Sequence, residues 1–328
     1  MNVARRATMI LAPALACEPP FWARGPHGQT LAGKFLGSGE LDLPWERFRI
    51  PLDDGDSLTA RTLTGGSGVL VALFHGLAGS VDGGYMRRAA ARFHAMGHSV
   101  LAVNHRGAGE GQGLAVKAYN SGSTRDLAAA LAFGRERFPG AFQVALGYSI
   151  SANILLLLLG RDQALGLPDA AIAVNPPADL EACSRRLVQG WNRMYDQYFV
   201  LRLRKELAAR PGSAPLAPTP TLREFDAVFT APQGGFASRA AYYAECSCGP
   251  HLGGIGTPTV IISADDDPFA PAADIRRWPL PAPVHLHAEA VGGHMGFVSR
   301  NLADRRWLDY ALDHYLGQLL SAAGTATA

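Results

Sequence analysis

The sequence predicts an α/β fold, a mostly parallel central sheet with helices on both faces and an inserted helical cap. Three observations lead there. From about residue 47, strand-length and helix-length segments alternate, the rhythm of strands joined by helical crossovers. The run Val69–Phe74 is continuously apolar, as a strand covered on both faces must be. After the strand expected at Ala170–Val174 the alternation lapses, and it resumes only near residue 259.

Each element has its own signal. Residues 48–52 and 58–63 read as two short strands around the turn Asp53-Asp54-Gly55-Asp56. After Val69–Phe74, residues 85–96 are amphipathic and stop at Gly97, which predicts a helix. A strand follows at 99–103. Residues 123–138 read as a helix, with Ser123 or Thr124 near its N-cap and Pro139-Gly140 ending it. A strand at 143–146 runs directly into Gly147-Tyr148-Ser149, and 150–159 is apolar on every side, a helix buried all round. Residues 180–209 look helical and 212–220 form a Pro-rich loop, with no clear strand between 178 and 251. The pattern closes with a strand at 259–263, a helix near 272–278, a strand at 284–288 and a last helix at about 301–320. The expected organisation is a variable extension at 1–18, one domain over 19–320 with a cap inserted at about 178–251, and a flexible tail at 321–328.

Composition narrows the function classes. The chain has 328 residues, 48% of them hydrophobic, enough for a large core. Its net charge is +2 and its Lys and Arg residues are scattered, so nothing points to a nucleic-acid partner. The short run Arg202, Arg204, Lys205 reads as a solvated helix face. Four cysteines (Cys17, Cys183, Cys246, Cys248) form no C-x-x-C pair and fit free thiols in a reducing compartment. Arg5 and Arg6 precede an apolar stretch at 7–16, but it is short and broken by Pro13. A cytoplasmic location is expected, with export by a weak N-terminal signal as the alternative. No run of about 18 uninterrupted apolar residues suggests stable membrane insertion. No cofactor or metal is expected. Gly107 to Gly113 is glycine-rich but lacks G-x-G-x-x-G spacing, and His285 with His287 lacks a third ligand.

The sharpest chemical signal is Gly147-Tyr148-Ser149-Ile150-Ser151. A nucleophilic serine needs a strand-to-helix turn too tight for bulky neighbours, which is the physical content of G-x-S-x-G. Ser151 stands where the second glycine would be, a substitution expected to cost strain. The helix after Ser149 would aim N–H groups at an oxyanion. A serine hydroxyl also needs a base. Downstream of Ser149 lie His251, His285, His287, His294 and His314. Only His294 sits in a glycine-rich loop between a last strand and a last helix; His285 and His287 read as structural, and His314 as surface. The acid should follow the strand at 259–263, where Asp265, Asp266 and Asp267 stand together. Asp267 is preferred, because Pro268 places a turn directly behind it, and Asp266 is the alternative. The loop His75-Gly76-Leu77-Ala78-Gly79 should complete an oxyanion hole, with the N–H groups of Leu77 and Ile150 as donors. His75 itself reads as a loop-packing residue.

These stretches, taken together, resemble the YheT-like branch of the α/β-hydrolases, which includes eukaryotic ABHD-type esterases and lipases. The resemblance spans roughly residues 19–315. It rests on Pro20-Phe21-Trp22 with His27-Gly28-Gln29-Thr30, on His75-Gly76-Leu77-Ala78-Gly79-Ser80, and on Asn104-His105-Arg106-Gly107 with Tyr119-Asn120-Ser121-Gly122. Further on it includes Pro176 with Glu181-Ala182-Cys183, Glu224-Phe225-Asp226, Gly235-Phe236, Tyr242-Tyr243, Asp266-Asp267-Pro268-Phe269 and Gly293-His294-Met295-Gly296-Phe297. It implies the α/β-hydrolase fold and a Ser–Asp–His hydrolase of carboxylic esters, such as acylglycerols or acetyl esters. Some relatives transfer acyl groups to alcohols. Ser151 departs from the family's usual glycine. The expected catalytic set is therefore Ser149, Asp267 and His294, and the expected partner is a small-molecule ester with an apolar acyl group. Trp191, Tyr195, Tyr198 and Phe199 in the cap fit an acyl site or, at helical spacing, core. Acyl transfer on the same triad and a non-catalytic binding protein on the same fold are the alternatives.

Overall fold

A computed structural model describes residues 10–37, 41–210, 212 and 218–325. The first nine residues of the expected extension, most of the Pro-rich loop and the last three residues of the expected tail lie outside the described residues.

Among the described residues, eight strands form one sheet: β1 (Glu46–Pro51), β2 (Ser57–Leu63), β3 (Val69–Phe74), β4 (Ser99–Asn104), β5 (Phe142–Tyr148), β6 (Ala170–Val174), β7 (Thr259–Ala264) and β8 (Val284–Glu289). Their order is β1-β2-β4-β3-β5-β6-β7-β8. β1 and β2 pair antiparallel, β2 pairs antiparallel with β4, and the rest of the sheet is parallel. The helices are α1 (Gly25–Phe35), α2 (Gly84–Ala95), α3 (Thr124–Arg137), α4 (Ile150–Gly160), α5 (Leu180–Leu187), α6 (Arg193–Ala208), α7 (Leu222–Phe225), α8 (Ala231–Gln233), α9 (Arg239–Cys246), α10 (Ala272–Arg276) and α11 (Trp307–Ala322).

β3 shows why the sheet needs cover on both sides. Its side chains alternate, so Val69, Val71 and Leu73 join a core with α2 and α11, while Leu70, Ala72 and Phe74 join a core with α3, α4 and α10. α4 is buried from Ile150 through Leu159 because it lies over the sheet centre. All four cysteines are free and buried. Among the described residues no helix is long and apolar enough to cross a membrane.

The chain goes from β3 to β4 on one side and returns to β5 on the other side of β3. The strand order reverses there, and such a switch point leaves a crevice at the carboxyl ends of the strands. Phe74 pairs with Gly147, and Tyr148 with Val174. The loops after β3, β5 and β6 therefore leave the sheet side by side.

Three expectations differ from the structure. The helix expected over 180–209 is two helices: Gly190, at φ +49°, breaks it between α5 and α6. The last helix starts at Trp307 rather than near 301, because Arg305 takes φ +60° and Val298 bridges Arg306. No helix was expected over α1, whose Gly25, Gly28 and Gly33 lower helix propensity. Gly33 is there for close packing, since a Cβ on it would lie 2.6 Å from Gly296 Cα in the loop after β8.

Candidate active site

β5 ends in a tight elbow. Ser149 takes φ +53°, ψ −117°, outside the regions a side-chain-bearing residue prefers. The turn closes because residue 147 is glycine; a Cβ there would stand 2.6 Å from the Ser151 carbonyl oxygen. The Ser149 N–H donates to Val174 O at 2.8 Å, which ties the elbow to β6.

The loop after β8 brings His294 to this serine. His294 Nε2 lies 2.9 Å from Ser149 Oγ, and its Nδ1 lies 2.7 Å from Asp267 Oδ2. A carboxylate only accepts, so Nδ1 carries the proton and bare Nε2 accepts from the serine hydroxyl. The Asp267 side chain is fully buried. Its Oδ1 accepts the N–H groups of Phe269 (3.1 Å) and Ala270 (2.9 Å), and its Oδ2 also accepts from Asn175 Nδ2 at 2.8 Å. Burial alone would raise its pKa. The charge and hydrogen bond of His294, with the two N–H donors, outweigh burial and hold the carboxyl below the usual carboxylate range.

The three aspartates have three different environments. Asp265 forms an ion pair with Arg276 at the surface. Asp266 Oδ1 accepts the N–H groups of Gly292 and Gly293, each at 2.8 Å, and so shapes the histidine loop. Only Asp267 meets the imidazole. Of the other downstream histidines, His287 bonds Glu289 Oε1 at 2.7 Å and Tyr315 OH at 2.6 Å, His285 packs at a tilt against Tyr315, and His314 bonds Ala12 O at 2.9 Å. They belong to the β8–α11 side of the sheet.

The loop after β3 faces the elbow. Gly76 N–H donates to Tyr85 OH and Ala78 N–H to Tyr119 OH, each at 2.9 Å. Among the described residues, the N–H groups of Leu77 and Ile150 have no such acceptor. Beneath the loop lies a buried polar network. Ser151 Oγ donates to His75 O at 2.5 Å and lies 2.6 Å from His105 Nε2. The His105 backbone N–H donates to His75 Nε2 at 3.1 Å, and His75 Nδ1 lies 2.8 Å from Gly76 O. These roles assign both tautomers: His105 carries its proton on Nε2 and His75 on Nδ1, both rings neutral. Burial depresses His75 to about 4 and His105 well below its ordinary value. The strain expected at Ser151 is not found. Its φ is not positive, and its hydroxyl bridges two elements that the usual glycine would leave unjoined.

Sequence reasoning missed several supporting residues. Thr30 Oγ1 on α1 accepts the His294 N–H at 2.9 Å. Gln29 accepts from the Val298 N–H at 2.7 Å and donates to Val298 O at 3.1 Å. The signal was present in His27-Gly28-Gln29-Thr30, but nothing local tied it to a loop more than 260 residues away. Two spaces open on Ser149: a narrow cavity lined by Leu77, Ile150, Phe199 and Leu203, and a wider cleft lined by Lys34, Tyr195, Tyr198 and Arg202. Trp191 lines neither and is 79% exposed.

A family model described as "alpha/beta hydrolase fold" matches residues 69–300. The chain is 32% identical over 313 residues to the protein named "Putative esterase YheT" of Escherichia coli (strain K12), covering 90% of this chain and 91% of that one. The chain belongs to the α/β-hydrolase family, in its YheT-like branch. The mouse protein named "Phospholipase ABHD3" is 26% identical over 303 residues, 89% of this α/β-hydrolase and 71% of its relative. Among solved structures, the Pyrococcus furiosus esterase Pf2001 superposes with a TM-score of 0.58 at 16% identity, covering 87% of this chain and 96% of that one. That likeness is one of fold.

Proposed function

We propose that this α/β-hydrolase is a serine esterase that cleaves carboxylic esters through an acyl-enzyme on Ser149. One observation carries the reading: the continuous hydrogen-bonded chain from Ser149 Oγ through His294 to Asp267, 2.9 Å and 2.7 Å long. As the Ser149 oxygen bonds to the ester carbonyl carbon, its proton passes to His294 Nε2. Asp267 keeps Nδ1 protonated and stabilises the imidazolium. The free N–H groups of Leu77 and Ile150 receive the negative charge that develops on the carbonyl oxygen. The intermediate collapses, the ester C–O bond breaks, and the imidazolium returns its proton to the leaving alcohol. Water, deprotonated by His294, then attacks the acyl-enzyme and releases the acid. The apolar cavity takes the acyl group, and the segment between β6 and β7 supplies much of its wall.

The test is turnover of p-nitrophenyl esters of increasing chain length by wild type and Ser149→Ala, with covalent labelling by a fluorophosphonate. Wild type should label at one residue and turn over; the variant should do neither. Equal turnover by the two proteins would refute the serine mechanism. Products formed with an added alcohol would separate hydrolysis from acyl transfer.

A further inference from the structure

The cavity that opens on Ser149 is apolar over most of its wall, but one group there does not fit an apolar wall. On α6, Phe199, Leu203, Glu206 and Leu207 line the cavity, at spacings that put them on one helix face, and Arg210 joins them just beyond the helix end. The Glu206 side chain is half-buried and opens on this cavity, yet among the described residues no hydrogen-bond donor reaches its carboxyl. Burial pushes its pKa up to about 7, against the attraction of Arg210 and Arg202.

Several other polar groups of that wall have partners in the protein. Tyr243 OH donates to Asp226 at 2.7 Å, and Tyr242 OH donates to Ser121 Oγ at 2.9 Å. Tyr119 OH accepts from Ala78. The Arg210 guanidinium donates to the carbonyls of Lys117 and Arg106. A carboxyl without a donor in such a wall is a net cost to folding. Leucines flank Glu206 in this wall, and a leucine would serve the packing as well. Its chemistry therefore faces whatever fills the cavity.

Position along α6 gives the reach. Phe199 packs on Phe269 with ring centroids 6.4 Å apart, and Phe269 packs on His294 at 4.2 Å. The Phe199 end of the helix is thus the catalytic end. Glu206 lies seven residues further on, about 10 Å along the axis at roughly 1.5 Å per residue. An extended alkyl chain advances roughly 1.25 Å per carbon for a C–C bond of about 1.5 Å, so about eight carbons span the distance. The guanidinium of Arg210 beside Glu206 disfavours a cationic ammonium on the chain and leaves a neutral hydroxyl as the matching donor.

We infer that Glu206 is a specificity-determining residue: the acyl pocket accepts medium-length acyl chains bearing a hydroxyl near the distal end, which donates to Glu206. The inference rests on the esterase reading above, for it takes Ser149 as the point where the ester sits.

The experiment compares p-nitrophenyl 8-hydroxyoctanoate with p-nitrophenyl octanoate for wild type, Glu206→Leu and Glu206→Gln. The readout is the ratio of the two kcat/KM values within each protein, so a general loss of activity cancels. Wild type should favour the hydroxylated ester by about tenfold or more. Glu206→Leu should reverse the preference, and Glu206→Gln, which keeps an acceptor oxygen, should retain it. A wild-type ratio below twofold, or the same ratio in Glu206→Leu as in wild type, overturns the inference. If no Ser149-dependent turnover of either ester exists, the esterase reading fails by itself. Calorimetric binding of free 8-hydroxyoctanoate against octanoate to wild type and Glu206→Leu then decides the Glu206 subsite, with the same expected order and the same overturning result.

Discussion

Replacing Ser151 with alanine tests whether the buried network under the loop after β3 serves the site. The Cβ stays and still fills the space, so no water enters. The lost oxygen leaves the His75 carbonyl and the His105 Nε2–H without the partners they hold at 2.5 and 2.6 Å. A buried polar group deprived of its partner costs about 1–3 kcal/mol, so two such groups cost about 2–6 kcal/mol before relaxation. Against a typical total of about 5–15 kcal/mol, such a loss is readily measured by urea denaturation. The kinetic effect follows from position. His75 is two residues before Leu77, and a loosened His75 lets the Leu77 N–H drift from the oxyanion. Deleting an oxyanion donor outright costs about 10²–10³ in kcat; a misaligned one should cost about tenfold. The loss should fall on kcat with KM unchanged, since the oxyanion exists only near the transition state. Ser151→Gly should be milder than Ser151→Ala, because removing the Cβ as well opens room for a water to bridge the same two groups. A Ser151→Ala protein within about 0.5 kcal/mol of wild type in stability, with kcat within twofold on a short-chain ester, would refute this account.

The neighbouring aspartates should separate by readout. Asp267→Asn should lower kcat about 10³–10⁴-fold by releasing the histidine tautomer, whereas Asp266→Ala should lower kcat far less but destabilise the fold by about 1.5–3 kcal/mol as the Gly292 and Gly293 N–H groups lose their acceptor; equal kcat losses in thermal-melt and kinetic comparison would contradict the assignment. Stability should also fall in acid: His75 and His105 are held neutral by burial, with folded pKa values below the ordinary 6.5. Their contribution is complete above that unfolded value and is lost as pH falls toward about 4, where His75 alone accounts for a loss of order 3 kcal/mol. A urea midpoint that stays flat between pH 7 and pH 4.5 would rule this out.

What was legible in the sequence follows from what is local. β3 and β6 have their expected bounds because a strand buried on both faces leaves an uninterrupted apolar run. Ser149, Asp267 and His294 stood out because each sits on a glycine- or proline-marked turn directly after a strand. Choosing among Asp265, Asp266 and Asp267 was harder, since successive residues of one turn point to different partners and only the fold shows which meets the imidazole. The role of Ser151 was not legible at all. Its partners are 76 and 46 residues away, and a motif-level reading could register only a missing glycine. Asn175, which bonds Asp267 across 92 residues, left no local trace for the same reason. α1 was missed because Gly28 and Gly33 lower helix propensity, while their value lies in the close approach they permit.

The distribution of backbone strain gives an independent reason to place the chemistry at this edge of the sheet. Among the described residues, six non-glycine residues take positive φ: Ala78, Ser149, Asn175, Met295, Phe297 and Arg305. The first five lie on loops at the carboxyl ends of β3, β5, β6 and β8. Each such residue costs about 1–3 kcal/mol and persists only where its surroundings over-determine it. Here the surroundings are the hydrogen bonds that define the site: Ala78 N–H to Tyr119, Ser149 N–H to Val174, Asn175 Nδ2 to Asp267, and His294 N–H, just before Met295, to Thr30. Random strain would scatter over loops at both ends of the sheet. Its concentration beside one serine and one histidine is what the proposed esterase mechanism calls for: the stability of two buried cores offsets geometries the local sequence would not choose, as preorganisation for a transition state requires.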